Sequence, residues 1–253
     1  MAKTTKIALI TGGSRGLGKN SALKVAGKGI DLIVTYRSKK EEAEATVAEI
    51  ETMGRKAAAL QLNTGMVKTF DAFSQELVSV LKAKWGREQF DFLVNNAGIN
   101  APSPFGKTTE EDFDNLVNIH FKGVYFLTQT LLPTIADGGR IINLSSGLAR
   151  FSTPGYAAYA SMKGAIEVFT RYLAKELGSR QIAANVVAPG IIETDFTSET
   201  FAIPGMKERM SQVTALGRPG TPDDIGGVIA FLCTEDARWI NAQRIEASGG
   251  MNL

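Results

Sequence analysis

The sequence predicts an α/β fold, a single domain built on a doubly wound, seven-stranded parallel sheet with helices on both faces. Three observations predict it. Short apolar, β-branched runs alternate with longer amphipathic segments along the chain. The 253 residues suit one large domain, and a hydrophobic content of 44% supplies a sizeable core. No internal repeat, low-complexity tract or linker breaks the alternation, so one domain over residues 1–253 is the economical reading.

Each element follows in order. The first strand, Lys6–Thr11, runs straight into the glycine-rich stretch "TGGSRGLGKN" and a helix near 17–28. The second, Asp31–Tyr36, precedes a helix near 40–53 that Gly54 stops. The third, Lys56–Gln61, leads to a helix near 67–85, and the fourth, Phe90–Asn95, to one near 109–135. The fifth, Arg140–Leu144, precedes a helix near 157–178, and the sixth is Ala183–Ala188. Thr221-Pro222 with Asp224 opens a capped helix near 222–234 before the last strand, Arg244–Ala247. Right-handed crossovers between parallel strands place helices on both faces. Segments 109–135 and 157–178 carry apolar residues over more than one stripe, whereas a surface helix needs only one. The second face predicts contact with a partner subunit, hence a homo-oligomer, dimer or tetramer.

The scarce residues exclude much chemistry. A net charge of +2 from 28 basic and 26 acidic residues, with no like-charge block, predicts neither a nucleic-acid partner nor an acidic membrane surface. The apolar core near the N-terminus is too short for a signal sequence. The uncharged run 123–136 falls short of the ~20 residues a membrane span needs. A soluble cytoplasmic protein is expected. The single cysteine, Cys233, forbids an internal disulfide and reads as core filler. With one histidine, His120, beside it, a zinc site of the usual ligand types is not expected, so no metal is assigned.

The glycine loop admits three readings. Gly13 to Lys19 has the spacing of a phosphate-binding loop, G-x-x-x-x-G-K, but Asn20 stands where the magnesium-binding Ser or Thr belongs. Gly12 to Gly16 fits the hydrolase elbow G-x-S-x-G, which needs a downstream histidine, and His120 lies inside a helix pattern. The third reading is a dinucleotide site, in which Gly12, Gly16 and Gly18 let the backbone approach a phosphate at the helix N-terminus.

Here the chain resembles the short-chain dehydrogenase/reductase family, through six ordered motifs spanning residues 6–250. "TGGSRGLG" is similar to the family's cofactor loop, and "NNAG" at 95–98 to the motif that ends its fourth strand. Asn118 falls at its helix asparagine, Ser146 in "INLSS" at its serine, and Tyr159 and Lys163 at its catalytic pair. "PGIIET", Pro189 to Thr194, matches its segment near the nicotinamide. The resemblance implies a Rossmann-type fold and a cofactor site of Gly12, Ser14, Arg15, Gly16, Leu17, Gly18, Tyr36, Arg37, Ser38, Asn63, Asn95, Ala97, Gly98, Tyr159, Lys163, Pro189, Gly190, Ile192 and Thr194. Asn63 departs from the family's usual aspartate beside adenine. An uncharged amide there predicts a weaker or differently oriented contact.

The second strand chooses the cofactor. An acidic residue at its end would hold the ribose 2′-hydroxyl of NAD, whereas an arginine accommodates the 2′-phosphate of NADP. This chain reads "LIVTYRSKK", with Tyr36 at the acidic position and Arg37 and Ser38 after it, and Arg15 lies within reach in the glycine loop. NADP(H) is therefore expected.

Tyr159 lies one helical turn before Lys163, and so does Tyr36 before Lys40, so spacing alone decides nothing. A free phenol, with a pKa near 10, exchanges its proton poorly at neutrality. An ammonium ~4 Å away at an effective dielectric of ~20 contributes about 4 kcal/mol, roughly three pKa units toward the phenolate. By resemblance Tyr159 is the general acid/base, Ser146 orients the substrate oxygen, and Lys163 also binds the nicotinamide ribose. Asn118 holds a water linking Lys163 to solvent. Ser145 should face away by strand alternation, and His120 should point elsewhere as a structural or surface residue. Leu148, Arg150 and Phe151 should line the substrate pocket. A lid over about 191–217 should close it with Ile191, Ile192, Phe196, Phe201, Ile203, Met206 and Met210.

The expected activity is NADPH-dependent reduction of a small-molecule ketone to a secondary alcohol, or the reverse. An apolar lid favours an apolar or mixed carbonyl. Lys207 and Arg209 would suit an acidic carrier, as in the 3-oxoacyl carrier-protein reductases that the chain also resembles. The alternative is a catalytically silent, NADP(H)-sensing binding protein on the same fold.

Overall fold

The computed structural model describes residues 5–253. Seven strands form one parallel sheet, as the sequence predicts, in the order β3-β2-β1-β4-β5-β6-β7. They are β1 Ile7–Ile10, β2 Asp31–Tyr36, β3 Ala57–Gln61, β4 Phe90–Asn95, β5 Ile135–Leu144, β6 Ala183–Pro189 and β7 Arg244–Ala247. The helices are α1 Gly16–Ala26, α2 Lys40–Thr52, α3 Phe70–Trp85, α4 Glu110–Val117, α5 Gly123–Leu131, α6 Ala157–Glu176, α7 Ser198–Phe201, α8 Met206–Gln212 and α9 Pro222–Leu232.

The central strands are buried on both faces, which is why they read as continuous Val, Ile and Leu runs. One apolar layer gathers Ala22, Val25, Ile225 and Ile229 from α1 and α9. The opposite layer gathers Phe73, Leu77 and Leu81 of α3 with Leu127 and Leu131 of α5 and Leu173 of α6. Strand order reverses between β1 and β4, paired in register Ala8 to Phe92, so the carboxyl ends of these two strands open a crevice.

Two predicted boundaries shift. β5 begins at Ile135 rather than Arg140, with a register irregularity against β4 between Phe90 and Phe92. The predicted helix 109–135 is two helices joined by a π turn, Asn118–Lys122. At its end the chain presses backbone to backbone, since a Cβ on Gly123 would sit 2.0 Å from the Thr64 carbonyl oxygen. The predicted caps form: Gly54 is left-handed at φ +76°, and Thr221 and Asp224 close a capping box on α9.

Candidate active site

The β1–α1 turn builds the floor of the crevice from backbone. Gly16 adopts φ +54°, and a Cβ on Gly18 would lie 2.0 Å from the Gly12 carbonyl oxygen, so only glycine lets α1 seat against the loop. α1 has neither a side-chain cap nor an acid in its first turn, whereas α4 and α9 have both cap and acid. Its free N–H groups therefore face the cleft as a site for a phosphate. The crossing from β4 is anchored by Asn96, whose amide donates to the carbonyls of Thr11 at 2.9 Å and Gly12 at 3.2 Å. The Thr11 hydroxyl accepts from the Asn96 and Ala97 amides, both at 3.0 Å.

One cleft of about 1330 Å³ gathers nearly every predicted site residue. Gly12, Ser14, Arg15, Gly16, Leu17 and Gly18 line it from the glycine loop, and Tyr36, Arg37 and Ser38 from the end of β2. Asn63, Ala97, Gly98, Ser146, Tyr159 and Lys163 follow, with Pro189, Gly190, Ile192 and Thr194 beyond β6. Arg15 and Arg37 are both exposed at its mouth, where Asp195 approaches Arg15 to 3.6 Å. Asn63 turns its side-chain oxygen to the Gly65 amide at 3.1 Å, leaving its NH₂ to face a ligand. Lys40, the partner in the decoy spacing with Tyr36, pairs instead with Glu44.

Two predicted residues lie apart from the cleft lining. Asn95 is buried, donating to Asn143 at 2.8 Å and Thr128 at 3.2 Å, so it ties β4 to β5 and α5. Asn118 opens the π turn, and its backbone carbonyl accepts the Gly123 amide. His120 does the opposite of what the helix pattern predicts. Its ring is 1% exposed, lines the cleft and meets the Tyr159 ring edge to face at 5.1 Å. Asn118 and His120 do face different ways, as two such positions on a helix should, but it is His120 and not Asn118 that lines the cleft.

Of the four predicted catalytic residues, Ser146 beyond β5 and Tyr159 and Lys163 on α6 line the cleft together. Ser146 accepts from the Leu148 amide at 3.2 Å, and its hydroxyl lies near enough to the Tyr159 phenol to favour the phenolate. Ser145, expected to face away, also borders the cleft, although its hydroxyl turns to Glu167 at 2.7 Å and the Lys163 carbonyl at 3.3 Å. Lys163 is buried and donates to the Leu144 carbonyl at 2.8 Å, with its ammonium 5.4 Å from the Tyr159 ring centre. Burial pulls the Lys163 ammonium down to about 7. Burial also pushes the Tyr159 phenol above its ordinary value, against the downward pull of Ser146. The expected three-unit drop at Tyr159 is thus corrected. Desolvation is the largest cause of the rise, with the Tyr156 phenol adding to it and Ser146 opposing it.

The substrate side departs further from expectation. Leu148 and Phe151 line the cleft, but Arg150 does not: it forks onto Glu246 at 2.7 and 2.8 Å and onto the Met251 carbonyl at 2.7 Å. That pairing seats Met251 and Asn252 in the cleft wall, which no motif signalled. From the 191–217 segment, Ile191, Ile192, Phe196, Ile203, Met206 and Met210 line the cleft and Phe201 does not. Arg209 also lines it, while Lys207 is paired with Glu193 at 2.8 Å. Cys233 is buried, its thiol pushed up to about 12, so it is unreactive filler. Among the described residues no cluster of metal-ligating side chains occurs, and no helix is long and apolar enough to cross a membrane.

A parallel sheet with a glycine-floored phosphate cradle and a Ser-Tyr-Lys constellation at its switch point defines a dinucleotide-dependent oxidoreductase. The comparisons with known proteins agree. A family model described as "Enoyl-(Acyl carrier protein) reductase" matches residues 12–252. The chain belongs to the short-chain dehydrogenase/reductase family. It is 37% identical over 253 residues to the 3-oxoacyl-[acyl-carrier-protein] reductase FabG of Staphylococcus aureus, covering 99% of this chain and 100% of that one. Among solved structures it is similar to the promiscuous reductase LugOII, described as catalysing keto-reduction at C1 in lugdunomycin biosynthesis, at TM-score 0.93 and 37% identity over 100% of both chains. It is also similar to the angucycline C-6 ketoreductase LanV with bound NADP, at TM-score 0.93 and 38% identity, covering 98% of this chain and 96% of that one.

Proposed function

We propose that this chain reduces an apolar or mixed small-molecule ketone to a secondary alcohol with NADPH, with Tyr159 as the proton donor. The observation that carries the mechanism is the joint placement of Ser146, Tyr159 and Lys163 in the cleft that the glycine loop floors. The nicotinamide, when bound, supplies the hydride. Gly12 to Gly18 and the N-terminus of α1 would hold the pyrophosphate, and Arg15, Arg37 and Ser38 the 2′-phosphate. Ser146 accepts the Leu148 amide on its oxygen, and its O–H, turned toward the Tyr159 phenol, would donate to a substrate oxygen placed between the two. Tyr159 gives that oxygen its phenolic proton. Lys163 carries the charge that balances the phenolate left behind. Asn118 holds the water that links Lys163 to solvent, a role that the break in the helix at Asn118 supports.

The 191–217 segment acts as a lid. Its α7 and α8 are short, and Phe196 and Ile203 are 43% and 51% exposed over the cleft, as expected of an element that packs only when a substrate is present. The chain forms a homo-oligomer through α4, α5 and α6. Phe113, Tyr125, Phe126, Val168 and Tyr172 stand exposed there, and Tyr125 stacks on Phe169 at 4.7 Å. We place the enzyme in the cytoplasm. NADPH oxidation followed at 340 nm over a ketone panel, including a 3-oxoacyl thioester and a polycyclic aromatic ketone, tests the reading. Turnover with a member of the panel is expected. NADPH binding without turnover of any of them would favour the silent sensor.

A further inference from the structure

His120 is a buried titratable group that the mechanism above does not use, yet it touches the proton donor. Its position is determined from three sides. It sits buried within the π turn and lines the cleft. At its Nε2 edge both backbone groups of Ile99 approach, the amide nitrogen at 3.1 Å and the carbonyl oxygen at 2.9 Å. Against its Cε1 lies Gly98, where an added Cβ would come to 2.7 Å, so the glycine that ends "NNAG" makes room for this ring. The fourth side is Tyr159, met edge to face with the planes at 81°. Tyr156 meets Tyr159 in a similar orientation at 6.4 Å, so the phenol is wedged between two aromatic edges.

We propose that His120 is a positioning residue for Tyr159: pinned to the Ile99 backbone, its ring wedges the phenol so that the proton donor and the end of β4 hold one geometry. This rests on Tyr159 being the proton donor. Nδ1 has no partner among the described residues although it is buried, a cost that an apolar ring would avoid. The polar atom that such a ring would lack is Nε2, which holds Ile99. The titratable groups set against the imidazole are Tyr159 and Lys163 of α6. Burial and the Lys163 charge keep it neutral, pulling it down to about 3. A neutral wedge adds no second cation beside Lys163.

The chain has one histidine, so imidazole NMR signals of tag-free protein report His120 alone. A single neutral tautomer is expected from about pH 5 to 9, and titration near the ordinary value of about 6.5 would overturn the proposal. The sign follows from the same shift. The unfolded chain takes up the proton near 6.5 and the folded chain does not, so this stability is present above about 6.5 and lost as the pH falls toward 3. His120→Leu should lower kcat by about tenfold or more, with KM and NADPH affinity within about twofold. His120→Phe keeps an aromatic edge and should recover most of kcat, although its unfolding midpoint falls because Ile99 loses its partner. Wild-type kcat in the Leu variant, or kcat falling in step with stability in both, would contradict the wedge. Failure of the underlying mechanism looks different: Tyr159→Phe would keep its turnover while the His120 signals stay neutral.

Discussion

The two walls of the cleft are built from different materials. The cofactor wall is backbone. Thr11 N–H donates to Val94 at 3.0 Å, Gly13 N–H to Thr35 at 2.9 Å, and the glycine loop sits directly on α1. The substrate wall is side chain: short helices, two isolated bridges from Ile192 to Gly220 and Thr214 to Met251, and half-exposed apolar groups. A backbone wall leaves no room for a side chain at Gly12 or Gly18 and recognises what all dinucleotides share. A side-chain wall tolerates exchange and sets which ketone fits.

Substitutions on each wall should therefore fail in different ways. The largest effect is expected from Gly18→Ala, whose methyl group would enter the Gly12 carbonyl. NADPH affinity should fall at least 100-fold, about 3 kcal/mol, by fluorescence titration. Near-normal affinity would mean that the loop is pliable and the contrast between the walls is wrong. Next is Arg37→Ala, which removes a charge at the mouth of the cleft. It should weaken NADPH about tenfold, roughly 1.4 kcal/mol, and leave NADH unchanged. Equal losses for both cofactors would assign Arg37 a general electrostatic role. The smallest effect belongs to Met210→Ala on the substrate wall. KM for a bulky ketone should change a few-fold in steady-state assays while NADPH affinity holds, and a change in cofactor affinity would place the lid on the other wall.

The same contrast explains what the sequence made legible. Gly12, Gly16 and Gly18 could be read because close approach and left-handed backbone admit few residue types, and β2 could be read because it is buried on both faces. The capping of α9 was equally plain, since Thr221-Pro222 and Asp224 carry their geometry in local spacing. His120 was misread because Asn118 was taken as the residue that faces the cleft; the two face different ways, but His120 lines the cleft and Asn118 does not. Asn96 could have been found from the doubled asparagine in "NNAG", but only the crossover shows which amide reaches Thr11. Arg150 looked like a pocket residue because its neighbours are. Its partner Glu246 lies across the sheet on β7, a pairing that local sequence does not encode. The opposed shifts of Tyr159 and Lys163 come from burial, a property of the assembled fold.

The most direct test of the central claim is Tyr159→Phe, followed in one titration and one single-turnover assay. Removing one oxygen leaves the ring against His120 and the cleft intact. The variant should fold, bind NADPH as the wild type does, and transfer hydride to its ketone at least ~100-fold more slowly. Hydride transfer at the wild-type rate would show that the proton comes from elsewhere and that Tyr159 is not the donor.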